Sequence, residues 1–325
     1  MKSWWMDVAG DAAVLQLRDV PRPEPGPGQV LLRLHAAALN RGEFITGHGL
    51  HAKPGARPIG MEGAGEVVAS GGGVSGLVPG ERVMGRCPGA FSQYALIDVR
   101  ELMRVPPALS WHEAAGLSLV YQVAYDLLVL HGRIAASDWV LINGVSSGVG
   151  VASLQLAKVF GARVIGTSGS ADKLARLREL GLDVGLCTRG ADFHDPVMQA
   201  TGGAGVNIVV NNVGGSVFAQ DVRCMAFEGR LGMVGYVDGQ LKTELDIEAL
   251  HARRLTLFGV SNKMRTPQHR AADVPGFVRD ILPAVADGRI KPPVDRVFPL
   301  GELEAARAHM QADRHLGKIV LAIAD

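Results

Sequence analysis

Two hydrophobic rhythms divide the chain. In the first third, short runs of apolar and β-branched residues at Gln29–Ala36, Gly65–Ala69, Arg82–Gly85 and Phe91–Ile97 predict strands. Turn signals separate them: Pro21-Arg-Pro-Glu-Pro-Gly-Pro-Gly28, Gly71-Gly-Gly73 and Pro79-Gly80. This pattern predicts an antiparallel, barrel-like β domain.

The rhythm changes from about Ala108. Ser110, with Glu113 three residues on, marks a capped helix start. Strands are then predicted at Trp139–Asn143, Arg163–Thr167, Ile208–Asn211, Arg230–Gly235 and Leu255–Val260. Helices are predicted at Gly148–Phe160, Ala171–Leu180, Val217–Met225 and Ile247–Ala252. Such alternation implies an α/β fold with a doubly wound parallel sheet. One further helix (about Asp273–Asp287), the helix Leu303–Ala312 and a strand Lys318–Ile323 end the pattern.

Composition narrows the function classes. The formal net charge of +1 gives no reason to expect nucleic acid or an anionic membrane as partner. Cys87, Cys187 and Cys224 are far apart, so neither a disulfide framework nor a cysteine zinc site is suggested. Asp7 and Asp11 come too early for a signal peptide, and Asp138–Ser170 is interrupted by Lys158, Arg163 and many Gly and Ser, as a buried parallel unit is and a membrane span is not. The expectation is a cytoplasmic protein acting on a small molecule.

The most informative segment is Asn143-Gly-Val-Ser-Ser-Gly-Val-Gly150, between the strand WVLIN and the helix VASLQLAKVF. Glycines let backbone approach a pyrophosphate, and the helix N-terminus attracts its charge. Ser146, Ser147, Gly148, Val149 and Gly150 are the predicted cradle. A helix cap without ligand is the plainer reading, but the strand before and the strand after supply the context a dinucleotide loop needs. An NAD-selective site usually has an acid at the end of the second strand. Here Gly166-Thr-Ser-Gly-Ser170 stands there, with Lys173 on the next helix. Hydroxyls with an ammonium suit a 2′-phosphate, so Ser168 and Lys173 favour NADP(H). Lys173 would equally serve as a solvated surface lysine.

From end to end the chain resembles the medium-chain dehydrogenase/reductase superfamily, in its zinc-independent quinone oxidoreductase branch. The resemblance rests on Leu39-Asn-Arg-Gly-Glu-Phe44, Gly60-Met-Glu-Gly-Ala-Gly65, Leu180-Gly-Leu-Asp183, Thr201-Gly-Gly203, Asn212-Val-Gly-Gly215, Gly229-Arg-Leu231 and His315-Leu-Gly-Lys-Ile-Val-Leu321. It implies a GroES-like β-barrel catalytic domain from residues 1–120 and 264–325 and a Rossmann NADP-binding domain from 121–263. It also implies a homodimer joined near Leu255–Val260, and an active site in the interdomain cleft. Zinc-dependent relatives carry Cys near Arg41 and His at Met61, and neither substitute ligates zinc as they do. His48 and His51 share helical spacing, with Glu43 and Glu62 as possible neighbours, but this matches no common metal template.

Without a Lewis acid the resemblance implies hydride transfer from NADPH to a quinone or an activated alkene (an enone or 2-alkenal). The alternatives are a 2-enoyl-thioester reductase, with Arg265, His269 and Arg270 as a candidate patch for phosphates, and an NADPH-binding protein with little turnover. Asn40 matches the family position that orients the nicotinamide or polarises a carbonyl; a turn-stabilising Asn is the plainer reading. His51 is a candidate donor to a developing oxyanion, or a rim residue. Arg189 is a further candidate for the 2′-phosphate, or an exposed arginine. Val213, Gly235, Tyr236 and Ser261 carry over as cofactor contacts at the ends of later strands.

Overall fold

A computed structural model describes residues 1–9, 12–45 and 55–323. The chain divides into two compact units, Met1–Leu119 with Lys263–Asp325, and Val120–Asn262.

The middle unit is built on six parallel strands in the order Val184–Cys187, Arg163–Ser168, Trp139–Asn143, Val206–Asn211, Met225–Met233, Thr256–Gly259. In chain order that is 3-2-1-4-5-6, the doubly wound arrangement, with its reversal between Trp139–Asn143 and Val206–Asn211. Val140, Leu141, Ile142, Val164, Ile165, Ile208, Val209 and Val210 are completely buried, as expected of strands covered on both faces. The helices Gly148–Val159, Ala171–Glu179 and Gly215–Cys224 pack on them.

The other unit has a three-stranded sheet in the order Ala12–Asp19, Lys2–Ala9, Gly55–Pro58. Its larger sheet runs Val294–Pro299, Lys318–Ala322, Gln29–Ala38, Glu62–Ser70, Arg82–Arg86, Leu102–Arg104, with Tyr94–Asp98 also paired to Gln29–Ala38. All pairs are antiparallel except Val294–Pro299 with Lys318–Ala322. The register places Val320 opposite Ala38 on one side and Gly63 opposite Ala37 on the other. Lys318, Asn40 and Glu62 therefore gather at one end of this sheet, although the sequence holds them far apart.

Several elements differ from the sequence reading. The antiparallel pair Lys2–Ala9 and Ala12–Asp19, the strands Val184–Cys187 and Val294–Pro299 and the helix His194–Ala200 are additional. The single helix expected over Asp273–Asp287 is two, Val274–Asp280 and Leu282–Ala286. Pro283 sits in the first turn of the second, where its missing N–H costs nothing, and a continuous helix through it would lose a bond. Among the described residues no helix is long and apolar enough to cross a membrane.

Candidate active site

The glycine loop of the middle unit turns sharply as it leaves its strand. Gly144 adopts φ +71°, the left-handed region that favours glycine. Ser147 caps the following helix, its Oγ accepting from Gly150 N at 3.1 Å. A Cβ on Gly150 would come within 2.5 Å of Gly144 O and 2.7 Å of Val145 O, so only glycine lets the helix start this close to the loop. Gly148 and Val149 form the first turn of that helix.

Ser146 Oγ lies 3.3 Å from the buried Ser168 Oγ, which ends the neighbouring strand. Arg189 lies directly against Gly169: a Cβ there would collide with the Arg189 side chain. Ser170 caps the next helix, accepting from Lys173 N at 3.3 Å. Ser146, Ser168 and Arg189 are thus brought to one strand end, with Lys173 in the adjoining first helical turn. Val213, Gly235 and Ser261 follow the strands Val206–Asn211, Met225–Met233 and Thr256–Gly259 at the same edge of the sheet. Val213 N donates to Asn211 Oδ1 (2.9 Å), Gly235 backs onto Asn212 O, and Tyr236 is 44% exposed.

In the other unit, Asn40 belongs to a buried ionic cluster that the sequence reading did not assemble. Lys318 Nζ donates to Leu39 O (2.9 Å), Asn40 Oδ1 (2.8 Å) and Glu62 Oε1 (2.8 Å). Asn40 Nδ2 donates to Glu62 Oε1 (3.0 Å) and Glu43 Oε1 (3.2 Å), and Asn40 N donates to Glu43 Oε2 (2.9 Å). Glu62 Oε2 accepts from Ser118 Oγ (3.0 Å) and Leu119 N (2.6 Å). The ammonium fixes the amide, since it can only donate and so must meet the amide oxygen. Both Asn40 Nδ2 hydrogens are consequently committed to carboxyl oxygens. One cation serves two acids here, and burial pushes the Glu43 carboxyl up to about 8. The signal available for this cluster was a lysine opening the apolar run KIVLA. His51, like His48, lies outside the described residues.

Arg265 and Arg270 do not present a free basic patch. Arg265 pairs with Asp273, and Arg270 binds Glu101 through Nε and Nη2 at 3.1 Å, both partners being largely buried.

Two family models match the chain: the alcohol dehydrogenase GroES-like domain over residues 26–107, and the zinc-binding dehydrogenase over residues 148–274. A solved NAD-dependent alcohol dehydrogenase is 31% identical, with 100% of each chain covered and a TM-score of 0.86. The structure of mycobacterial Rv1454c complexed with NADPH is 27% identical, with 99% of this chain and 100% of that one covered and a TM-score of 0.87. The mycocerosic acid synthase-like polyketide synthase of Mycobacterium tuberculosis is 30% identical over 319 residues, which are 96% of this chain and 15% of that protein. The chain thus spans a small part of the curated relatives it matches. It belongs to the medium-chain dehydrogenase/reductase superfamily, a family of oxidoreductases, with the Rossmann-like parallel sheet and GroES-like N-terminal domain of that family.

The described residues do not fit the zinc that the second family model names. Arg41 pairs with Asp313, and Met61 offers only a thioether. Both Glu62 oxygens are taken by Lys318, Asn40, Ser118 and Leu119. The Cys87 thiol is buried, which pushes it up to about 12, far from the thiolate a metal needs.

Proposed function

We propose that this chain is an NADPH-dependent, zinc-independent oxidoreductase that passes hydride to a quinone or to an activated alkene such as an enone or 2-alkenal. The observation that carries the reading is the strand end where Ser146, Ser168 and Arg189 meet beside Lys173, in the place an acid would hold for NADH. These groups fit a 2′-phosphate: hydroxyls donate, and the guanidinium supplies charge. Gly148, Val149 and Gly150 receive the pyrophosphate, and Val213, Gly235, Tyr236 and Ser261 line the path of the nicotinamide half. When bound, NADPH supplies the hydride.

This chain's own residues then manage the charge. A hydride accepted at an enone β-carbon leaves negative charge on the carbonyl oxygen, which needs a donor. We assign that donor to His51. Asn40 acts as a positioning residue: its amide ties the turn Arg41–Phe44, at the head of the segment carrying His51, to Lys318 and Glu62. The protein is proposed to work in the cytoplasm as a homodimer, joined through the edge strand Thr256–Gly259.

A second reading, reduction of 2-enoyl thioesters, is favoured by the polyketide synthase relatives, which match nearly the whole of this chain. Against it, Arg265 and Arg270 are already neutralised by acids. Steady-state NADPH oxidation against quinones, 2-alkenals and enoyl-CoAs separates the two. Turnover with quinones or enones and no zinc requirement is expected. Turnover confined to thioesters would replace the lead reading with the second, and tight NADPH binding without turnover would point to a cofactor-binding protein instead.

A further inference from the structure

Asp221 sits in the middle of the helix Gly215–Cys224 and is completely buried. The spacing explains its direction: it follows Val217 by four residues, on the face turned to the sheet. Burying a carboxylate is costly unless its oxygens are bonded. Asp221 Oδ1 accepts from Asn143 Nδ2, and Oδ2 accepts from Asn211 Nδ2 at 2.8 Å. Those asparagines face each other in register on the two strands that flank the reversal of the sheet.

Each asparagine passes the contact on. Asn143 Oδ1 accepts from Thr167 Oγ1 (3.0 Å), and Thr167 Oγ1 accepts from Gly144 N (3.2 Å). Asn211 Oδ1 accepts from Val213 N (2.9 Å) and Gly214 N (2.8 Å). Both Asp221 oxygens accept from an amide nitrogen, so both asparagines turn their nitrogen inward and their oxygen outward. That orientation aims one carbonyl at Thr167 and the other at the Val213–Gly214 turn. Burial drives the Asp221 carboxyl well above its ordinary value, and the two amide bonds oppose that rise.

We propose that Asp221 is a positioning residue for dinucleotide binding, holding the Gly144 turn through Asn143 and Thr167 and the Val213–Gly214 turn through Asn211. The inference rests on the NADPH reading and deepens it: two of the cofactor-binding turns are set by one carboxylate behind them.

The test compares wild type, Asp221→Asn, Thr167→Val and the double variant, with NADPH Kd read by fluorescence and melting temperature read in parallel. Asp221→Asn keeps the volume but forces one amide to turn round. NADPH Kd should rise about tenfold, the scale of one buried hydrogen bond. Thr167→Val should raise Kd alone yet add little in the Asp221→Asn background, because both cut one relay. A lowered melting temperature with unchanged Kd, or two effects that simply multiply, would overturn the inference. Should Asp221→Asn fail to fold, Thr167→Val and Thr167→Ser decide it: Ser keeps the hydroxyl and should restore the Kd that Val weakens, and an unchanged Kd in Val overturns it. Variants that bind as well as a binding wild type sink this inference alone. A wild type that binds no NADPH sinks the cofactor reading with it.

Discussion

Lys318 Nζ stands 2.8 Å from Glu62 Oε1, with both side chains sealed from water. The pair closes the end of the sheet where Asn40, Glu62 and Lys318 gather. Buried charges of this kind are held by their partners rather than by attraction alone, because desolvation consumes most of the Coulombic gain. Here Leu39 O, Asn40, Ser118 and Leu119 N complete the shell.

Lys318→Met should therefore be costly out of proportion to its size. It leaves Glu62 buried without a cation, and the expected loss is about 3–5 kcal/mol in urea unfolding. Adding Glu62→Gln removes the orphaned charge and should recover at least half of that loss. A double variant no better than Lys318→Met would show that packing, not charge, governs the site.

Glu43 gives the cluster a pH dependence. The unfolded chain ionises this acid near the ordinary 4.5, whereas the folded chain keeps the proton to about 8. Between those limits the folded state binds more proton, so stability falls as pH rises from about 4.5 and the loss is complete above about 8. Glu43→Gln removes this contribution. Relative to wild type, the variant should gain at least about 1.4 kcal/mol between pH 5 and pH 8.5, one pH unit's worth. Parallel stability profiles for the two proteins would count against a buried, protonated Glu43.

The centre of the parallel sheet was legible because Trp139–Asn143, Arg163–Ser168 and Val206–Asn211 are compact apolar runs between turn signals, and the capping box of Ser110 and Glu113 forms as expected. Val184–Cys187 was not, being three half-buried residues and the exposed Cys187 at the sheet edge, with Gly185 inside. The proximity of Ser146, Ser168 and Lys173 was legible because loop, strand and helix follow one another locally. The ionic cluster was not. Asn40 reaches Glu62 across 22 residues and Lys318 across 278, and only the register of three strands brings them together. Glu43 and Glu62, named in the sequence only as possible neighbours of His48 and His51, have their oxygens met by Asn40, Lys318, Ser118 and Leu119. Asp221 does carry a signal, a charge on the apolar face of an amphipathic helix, but nothing local to it shows that its partners are two asparagines on other strands.

Gly150→Ala should damage fold and cofactor site together. The added Cβ meets backbone carbonyls of Gly144 and Val145, which cannot move without lifting the helix from the loop. Destabilisation of about 1–3 kcal/mol is expected from such overpacking. NADPH affinity should fall in the same variant, as measured by equilibrium titration. Retained affinity would mean that the loop tolerates displacement and is not the phosphate cradle.

Gly169→Ala should do the opposite and separate selectivity from stability. The three atoms nearest to its Cβ would all belong to the Arg189 side chain, which is long and can swing aside. The melting temperature should stay within about a degree or two, since surface changes of this kind cost under about 0.5 kcal/mol. Moving the guanidinium away from Gly169, however, removes a charged partner from the proposed 2′-phosphate site. NADPH Kd should rise about tenfold or more, the scale of one charge-assisted hydrogen bond, while NADH Kd barely changes. Arg189→Ala should reproduce this result without adding a Cβ at Gly169, and Lys173→Glu should weaken NADPH further by setting a carboxylate against the phosphate. Equal weakening of NADPH and NADH in all three variants would remove Arg189 and Lys173 from the recognition of the 2′-phosphate, and with them the case for NADPH over NADH.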